Sequence, residues 1–168
     1  MITIKLVAKL FIIFLLMALS FSGCFESNQK LWGDAPDFTL KTVYGNNFTL
    51  SDNFGKVILI DLMALWCGPC HYQMPEIAAV IDELGDEIVV VSVDIELTET
   101  SQQVISTYSD YVDKWTFVMD DYYENIAGKY EVVGIPKLII IDKDGNIYYT
   151  ESGLTSSSVI LNLIEKVL

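Results

Sequence analysis

The chain has no arginine, one histidine, three cysteines and four prolines in 168 residues. Its ten lysines face 23 acids, a formal charge of −13. Two of those lysines, Lys5 and Lys9, lie in an acid-free stretch covering the first 23 residues. Beyond it, eight lysines face 23 acids, for a formal charge of −15. So negative a body is a poor match for nucleic acid, where cations must neutralise phosphates, and for electrostatic docking on anionic lipid. A solvated acidic exterior is the reading. The single histidine, His71, beside two thiols supplies too few ligands for a closed zinc site. No internal repeat or low-complexity segment is present.

What is present begins with a leader. Lys5 and Lys9 precede the apolar run Leu10–Leu19, which has the length of a signal-peptide core and is short for a membrane span. Phe21-Ser22-Gly23-Cys24 resembles a bacterial lipobox, in which cleavage before the cysteine follows its lipidation; Phe21 replaces the usual Leu. The alternative is an uncleaved N-terminal anchor. Both readings expect an exported domain held at the extracytoplasmic face of the cell membrane. The organisation is then a lipoprotein-type signal peptide over 1–23, a polar tether over 24–32 and one domain over 33–168. Lipidation would use Cys24 and leave Cys67 and Cys70 as a pair. A purely structural disulfide between thiols so close in sequence would restrain little of the unfolded chain.

Those two thiols lie where the sequence changes period. Val57-Ile-Leu-Ile-Asp61-Leu-Met is a near-continuous, β-branched apolar run, the pattern of a strand buried in a mostly parallel sheet. After Cys67 and Cys70, the spacing of Ile77, Val80, Ile81 and Leu84 predicts a helix over Gln73–Leu84. A strand-to-helix junction offers unpaired N–H groups and a helix dipole, both of which favour a thiolate, the reactive form of cysteine. Cys67, nearer the helix start, suits an attacking thiolate. Cys70, one turn in, suits the thiol that resolves the mixed disulfide. Asp61 is an acid in an apolar strand. Buried there it should have a raised pKa and could accept the Cys70 proton; the alternative is an edge position facing solvent.

The rest of the chain alternates strands with helices. An extended pair, Asp37–Thr42 and Phe48–Leu50, flanks a Gly45-Asn46-Asn47 turn, with Ser51 or Asp52 placed to cap a helical turn. Glu87–Asp94 predicts a second buried strand, and Thr100-x-x-Gln103 a capping box opening a helix to about Tyr111. Trp115–Met119 is a short apolar piece and Asn125–Tyr130 a short helix. Leu138–Ile141 is a third strand, joined by Asp144-Gly145 to Ile147–Thr150, and Ser156–Leu168 is an amphipathic final helix. The pattern is an α/β sheet covered on both faces.

Trp66-Cys67-Gly68-Pro69-Cys70 after a buried strand resembles the active site of thioredoxin. Asp61 stands where thioredoxins carry a buried acid, and Pro75 where their helix is kinked. Gly134-Ile135-Pro136 is similar to the cis-proline loop that faces the thiols. Gly33–Leu40 is similar to the opening shared by peroxiredoxins and the membrane-anchored TlpA/ResA-type thioredoxins. The resemblance implies a thioredoxin fold, with a central mixed sheet flanked by helices and an N-terminal extension. It implies thiol–disulfide exchange without a bound cofactor, in a monomer. The partners would be protein disulfides of exported proteins, apocytochrome c thiols among them, and a membrane-side electron donor. It also implies a cis Ile135–Pro136 bond that leaves the Ile135 backbone free to pair with substrate, and Trp66 beside the same groove. Glu96 or Glu99 would match an acid that tunes some TlpA/ResA-type sites. Two departures, Leu62-Met63 for Phe-Trp and Lys137 for Thr, are expected to alter the groove.

Two rivals are weighed against this. Cys67-Gly-Pro-Cys70-His71 has the form of a c-type haem attachment. The Ala35-Pro36-Asp37-Phe38 opening points to a thiol peroxidase. However, peroxiredoxins set their cysteine in Pro-x-x-x-Thr-x-x-Cys, and Leu62-Met63-Ala64-Leu65 offers neither the Pro nor the Thr.

Overall fold

The computed structural model describes residues 34–168. The leader, the tether and Cys24 lie outside the described residues. The organising element is β3 (Val57–Met63), whose seven residues are all buried. It is buried because it has a strand on each side: β4 (Ile88–Asp94) runs parallel to it and β6 (Lys137–Ile141) antiparallel. With β1 (Thr39–Thr42), β2 (Asn47–Thr49), β5 (Thr116–Met119) and β7 (Ile147–Ser152), they form one mixed sheet in the order β2-β1-β5-β4-β3-β6-β7. The parallel steps need crossovers. α1 (Gly68–Leu84) joins β3 to β4, and α2 (Ser101–Thr107) lies between β4 and β5. α3 (Ile126–Lys129) and α4 (Ser157–Ile164) complete the layers. The thioredoxin fold expected from the sequence, a mixed sheet flanked by helices, is therefore present, and β1 pairs antiparallel with both β2 and β5.

Strand alternation divides the core in two. Val57, Leu59 and Met63 face a cluster containing both cysteines, Met74, Ile77 and Val80 of α1, and Ile160 and Ile164 of α4. Ile58, Ile60 and Leu62 face the other cluster, with Phe38, Leu50, Val91, Ile126 and Ile139. Asp61, also buried, has the parity of the first face.

Two polar ties lock α1 to the entry of α4. The Gln73 side chain accepts the Thr155 N–H at 2.8 Å and donates to the Thr155 carbonyl at 2.9 Å. Glu76 accepts the Ser157 N–H at 2.6 Å. That N–H is one of the first-turn donors with no partner inside the helix; Ser156 makes no side-chain cap bond, and α1 supplies this acceptor.

Several boundaries differ from the sequence reading. α1 begins at Gly68, with Pro69 in its first turn and Pro75 inside it. α2 has both halves of the Thr100–Gln103 capping box but ends at Thr107, short of Tyr111. There Tyr108 leaves helical geometry and is buried in the cysteine cluster. Ser51 and Asp52 lie within the 3-10 turn Leu50–Asn53 rather than capping it. The Ser51 N–H is held by Asp37 Oδ1 at 3.0 Å.

Candidate active site

β3 delivers the chain to the sheet's edge, and Ala64–Trp66 turns it into α1. Cys67 is the N-cap of that helix in extended backbone, so its sulfur points back over the first turn. Its Sγ accepts the Cys70 N–H at 3.2 Å. A sulfur taking a first-turn N–H at the positive end of a helix is stabilised as an anion when reduced. The two cysteines form a disulfide with Cα atoms 5.3 Å apart. The sulfurs that a c-type haem would need are thus joined to one another. Cys67 is 2% exposed and Cys70 0%, so both are more enclosed than an exposed attacking thiol would suggest; what little access exists is at Cys67.

Asp61 is fully buried on the cysteine side of β3, which rules out the solvent-facing alternative. Its register partner on β4 is Ser92, whose hydroxyl donates to Asp61 Oδ2 at 3.1 Å. Ser92 in turn accepts the Trp115 indole N–H at 3.0 Å. Asp61 Oδ1 has no partner among the described residues. Burial pushes the Asp61 pKa up to about 7, against the opposing effect of the Ser92 hydrogen bond. A carboxyl poised near neutrality can take or return a proton without a large cost either way.

The comparisons with known proteins agree with this geometry. Residues 33–150 match the AhpC/TSA family. The chain belongs to that family. It is 34% identical over 113 residues to the thioredoxin-like protein YneN of Bacillus subtilis, covering 67% of this chain and 66% of that one, just under two thirds. It is 30% identical over 132 residues to the thiol-disulfide oxidoreductase ResA of Bacillus thuringiensis, covering 76% of this chain and 73% of that one. Among solved structures, the exposed lipoprotein thioredoxin of Streptococcus pneumoniae superposes with a TM-score of 0.64 at 25% identity, covering 78% of this chain and 99% of that one. The chain is thus a thioredoxin-like thiol–disulfide oxidoreductase of the TlpA/ResA type within AhpC/TSA.

Trp66 is 68% exposed, and its indole N–H donates to Glu96 Oε2 at 3.2 Å. The Ile135–Pro136 bond is cis. Pro136 is buried, and Ile135 packs against the cluster that holds the cysteines. Neither the N–H nor the C=O of Ile135 has a hydrogen-bond partner among the described residues. His71 lies on the Leu65 carbonyl at 3.0 Å and packs on Tyr108.

Leu62 and Met63 are both fully buried, one in each core cluster, so their influence on a groove would be indirect. Lys137 is turned to the carbonyls of Tyr130 and Glu131, at 2.6 and 3.2 Å. Sequence reasoning missed Ser92, Trp115, Asp94 and Tyr108, and gave Glu99 little weight. The available signal was Ser92 itself, a hydroxyl interrupting an otherwise apolar strand.

Proposed function

We propose that this oxidoreductase works outside the cytoplasmic membrane, held there by its N-terminal segment, and reduces disulfides of exported proteins. The observation that carries the chemistry is the Cys67–Cys70 pair at the start of α1 with buried Asp61 on the same face. Reduced Cys67 attacks a substrate disulfide; one S–S bond forms, one breaks, and the departing substrate thiolate takes a proton from solvent. Cys70 gives its proton to Asp61 and attacks the Cys67 sulfur, releasing the second substrate thiolate. Two electrons have then passed to the substrate, and the protein is left with the Cys67–Cys70 disulfide. A membrane-side dithiol donor returns it to the reduced form. An extended substrate segment pairs with the free Ile135 backbone beside Pro136, and Trp66 borders it.

Reduction is favoured over oxidation by what surrounds the sulfur. No lysine or arginine occurs between Asp61 and Pro75, while Asp61, Glu96 and Glu99 are close at hand. A strongly oxidising site needs a specially stabilised thiolate. The extracytoplasmic location rests on the leader and on Cys24, read as a lipid attachment site, and the Streptococcus relative is itself described as an exposed lipoprotein. Cys70→Ser in cells should accumulate mixed disulfides through Cys67 with exported proteins, whereas Cys67→Ser should accumulate few. Equal trapping by the two variants, or capture of cytoplasmic proteins alone, would overturn the assignment.

A further inference from the structure

Beyond the ends of β3, β4 and β5 runs a rim of side chains that the exchange reaction leaves unused. Met63, Asp94 and Met119 end those strands and stand side by side, Met63 paired with Asp94 and Asp94 with Met119. Two bonds continue the row past the strands. The Ile95 N–H donates to the Met63 carbonyl at 3.0 Å, and the Asp120 N–H to the Asp94 carbonyl at 2.8 Å. The third residue beyond this row is large and exposed every time: Trp66 after β3, Leu97 after β4 and Tyr122 after β5, at 68, 53 and 83%. Apolar side chains grouped on a surface mark a place where something else is meant to cover them.

Trp66 ties the rim to the thiols, because its indole N–H reaches Glu96 in the loop after β4. Leu97 and Tyr122 then line one open cleft of about 320 Å³, with Asp121 and Asn125. Asp121 Oδ1 accepts the Tyr123 and Glu124 N–H groups, both at 2.8 Å, and so fixes the turn that presents Tyr122. Tyr123 is exposed as well, its ring edge-on to that of Tyr122. Neighbouring strands lie about 4.8 Å apart, so the strand carrying Tyr122 is roughly 10 Å from the one leading to Cys67, a span of about three extended residues. The charge along the rim has one sign. Glu96 and Asp121 supply carboxylates, and no lysine occurs between Val57 and Asp113 or between Trp115 and Gly128. Lys114 precedes β5, at the opposite end of that strand. Carboxylates beside exposed rings match a polypeptide with both apolar and cationic side chains, and are a poor match for acyl chains or anionic headgroups.

We propose that Leu97 and Tyr122 form a specificity subsite for the substrate polypeptide. The cleft takes an aromatic or aliphatic side chain about three residues from the substrate cysteine, and a lysine or arginine of the same segment faces Glu96 and Asp121. The proposal rests on the reading of Cys67 as the attacking thiol and of the Ile135 backbone as the place where the substrate chain pairs. In the sheet order β5-β4-β3-β6, Ile135 stands on one side of the strand that leads to Cys67 and the cleft on the other. The segment is then held on both sides of the disulfide under attack.

The test uses the full chain, reduced, and peptides whose single cysteine is a mixed disulfide with glutathione. Each reaction leaves the Cys67–Cys70 disulfide and releases the peptide thiol and glutathione. One pair of peptides carries phenylalanine with an adjacent lysine about three residues before or after the cysteine; the matched pair has serine at both places. Stopped-flow tryptophan fluorescence gives the rate of protein oxidation, and glutathione disulfide, too small to span to the cleft, calibrates the sulfur chemistry. In one of the two orientations the phenylalanine peptide should react about tenfold faster than its serine match, as expected for covering part of one large apolar side chain. Leu97→Ser with Tyr122→Ser should bring that ratio close to one without changing the rate with glutathione disulfide. Asp121→Asn keeps the acceptor of the turn and should weaken the preference for lysine over glutamate beside the phenylalanine. A ratio near one in the parent, or an undiminished ratio in the double variant, would overturn the proposal. A double variant that kept its ratio but no longer sedimented with phosphatidylglycerol vesicles would overturn it in favour of a membrane contact. Failure of the parent to react even with glutathione disulfide would instead sink the exchange mechanism.

Discussion

The two faces of β3 are equally dry and chemically opposite. On one, Ile58, Ile60 and Leu62 meet Phe38, Leu50, Val91, Ile126 and Ile139. The hydroxyl that enters there, from Tyr130, finds an acceptor in the Pro36 carbonyl at 2.7 Å. On the other face, Asp61 lies between Leu59 and Met63, with Ser92, Tyr108 and Trp115 around it and Asp94 at the end of β4. Asp61 Oδ1, Asp94 Oδ2 and the Tyr108 hydroxyl are all buried there without partners among the described residues. Unmatched polar atoms cost free energy wherever they are sealed. The apolar face has none of these three. They occur on the side that carries the sulfurs, which is where a proton must move if Cys70 is to become a nucleophile.

The largest effect that separates the faces should come from removing the acid while keeping its shape. Asp61 is ionised in the unfolded chain above its ordinary pKa of 3.8, yet stays protonated in the folded protein until about pH 7. The native state therefore binds the extra proton across that window. Stability falls as pH rises through it and levels off above about 7. Three units of difference correspond to a cost of about 4 kcal/mol. Asp61→Asn escapes that cost, so its stability advantage over the parent should grow from acid to neutral pH and then stay constant. Denaturant unfolding of the oxidised proteins across pH measures it. The same change should slow the Cys70 step roughly a hundredfold in stopped-flow exchange, the lower end of general-base contributions. Parallel stability curves for the two proteins would show that Asp61 is not held neutral.

Ile60→Ala probes the other face one residue away. Ile60 is fully buried among apolar side chains, so the loss should be about 3 kcal/mol, within the usual range for such truncations. It should be the same at every pH between about 4 and 8, because no titrating group changes its surroundings. The rate of the Cys70 step should be unaffected under conditions where the variant is folded. A pH-dependent loss would mean that the faces are coupled through β3 and that their separation is only topographic.

Much of this contrast could be read from the residues. The β-branched run, the thiol pair and the helical spacing behind it identify β3 and α1 from local pattern alone. Ile135-Pro136 and the Thr100–Gln103 box are equally local. Asp61 stood out because a charge inside an apolar strand calls for explanation. What surrounds Asp61 was hidden because it is assembled by register. Ser92 meets Asp61 across a parallel pairing, and Trp115 arrives from the segment leading into β5. Asp94 and Glu99 look like ordinary surface acids until β4 is known to end beneath the Cys67 loop. Gln73 and Thr155 find each other only once α4 is laid against α1. The early end of α2 has the same origin, since tertiary burial of Tyr108 prevailed over a continuing helical pattern.

The smallest effect should come from the charge at the margin of the apolar face. Lys137 follows Pro136 and begins β6, and its ammonium donates to the carbonyls of Tyr130 and Glu131. Glu131 has a left-handed backbone at φ 50°, so the lysine braces a bend that leads into Val133–Pro136. Threonine is too short to reach either carbonyl. Glu131 is exposed, however, and water can replace the lost donor there. The Ile135–Pro136 loop keeps two further supports, the Gly153 N–H on the Pro136 carbonyl at 2.7 Å and the packing of Ile135. Lys137→Thr should therefore cost about 1 kcal/mol, read as a lower denaturant midpoint at unchanged slope. Because the contacts removed are to backbone carbonyls, that loss should not vary across the window in which Asp61 titrates. Trapping of partners through Cys67 should fall by no more than about fivefold, since a change of about 1.4 kcal/mol is needed for tenfold. A loss larger than that of Ile60→Ala, or a trapping defect approaching that of Cys67→Ser, would show that the apolar face too carries a charge on which the reaction depends.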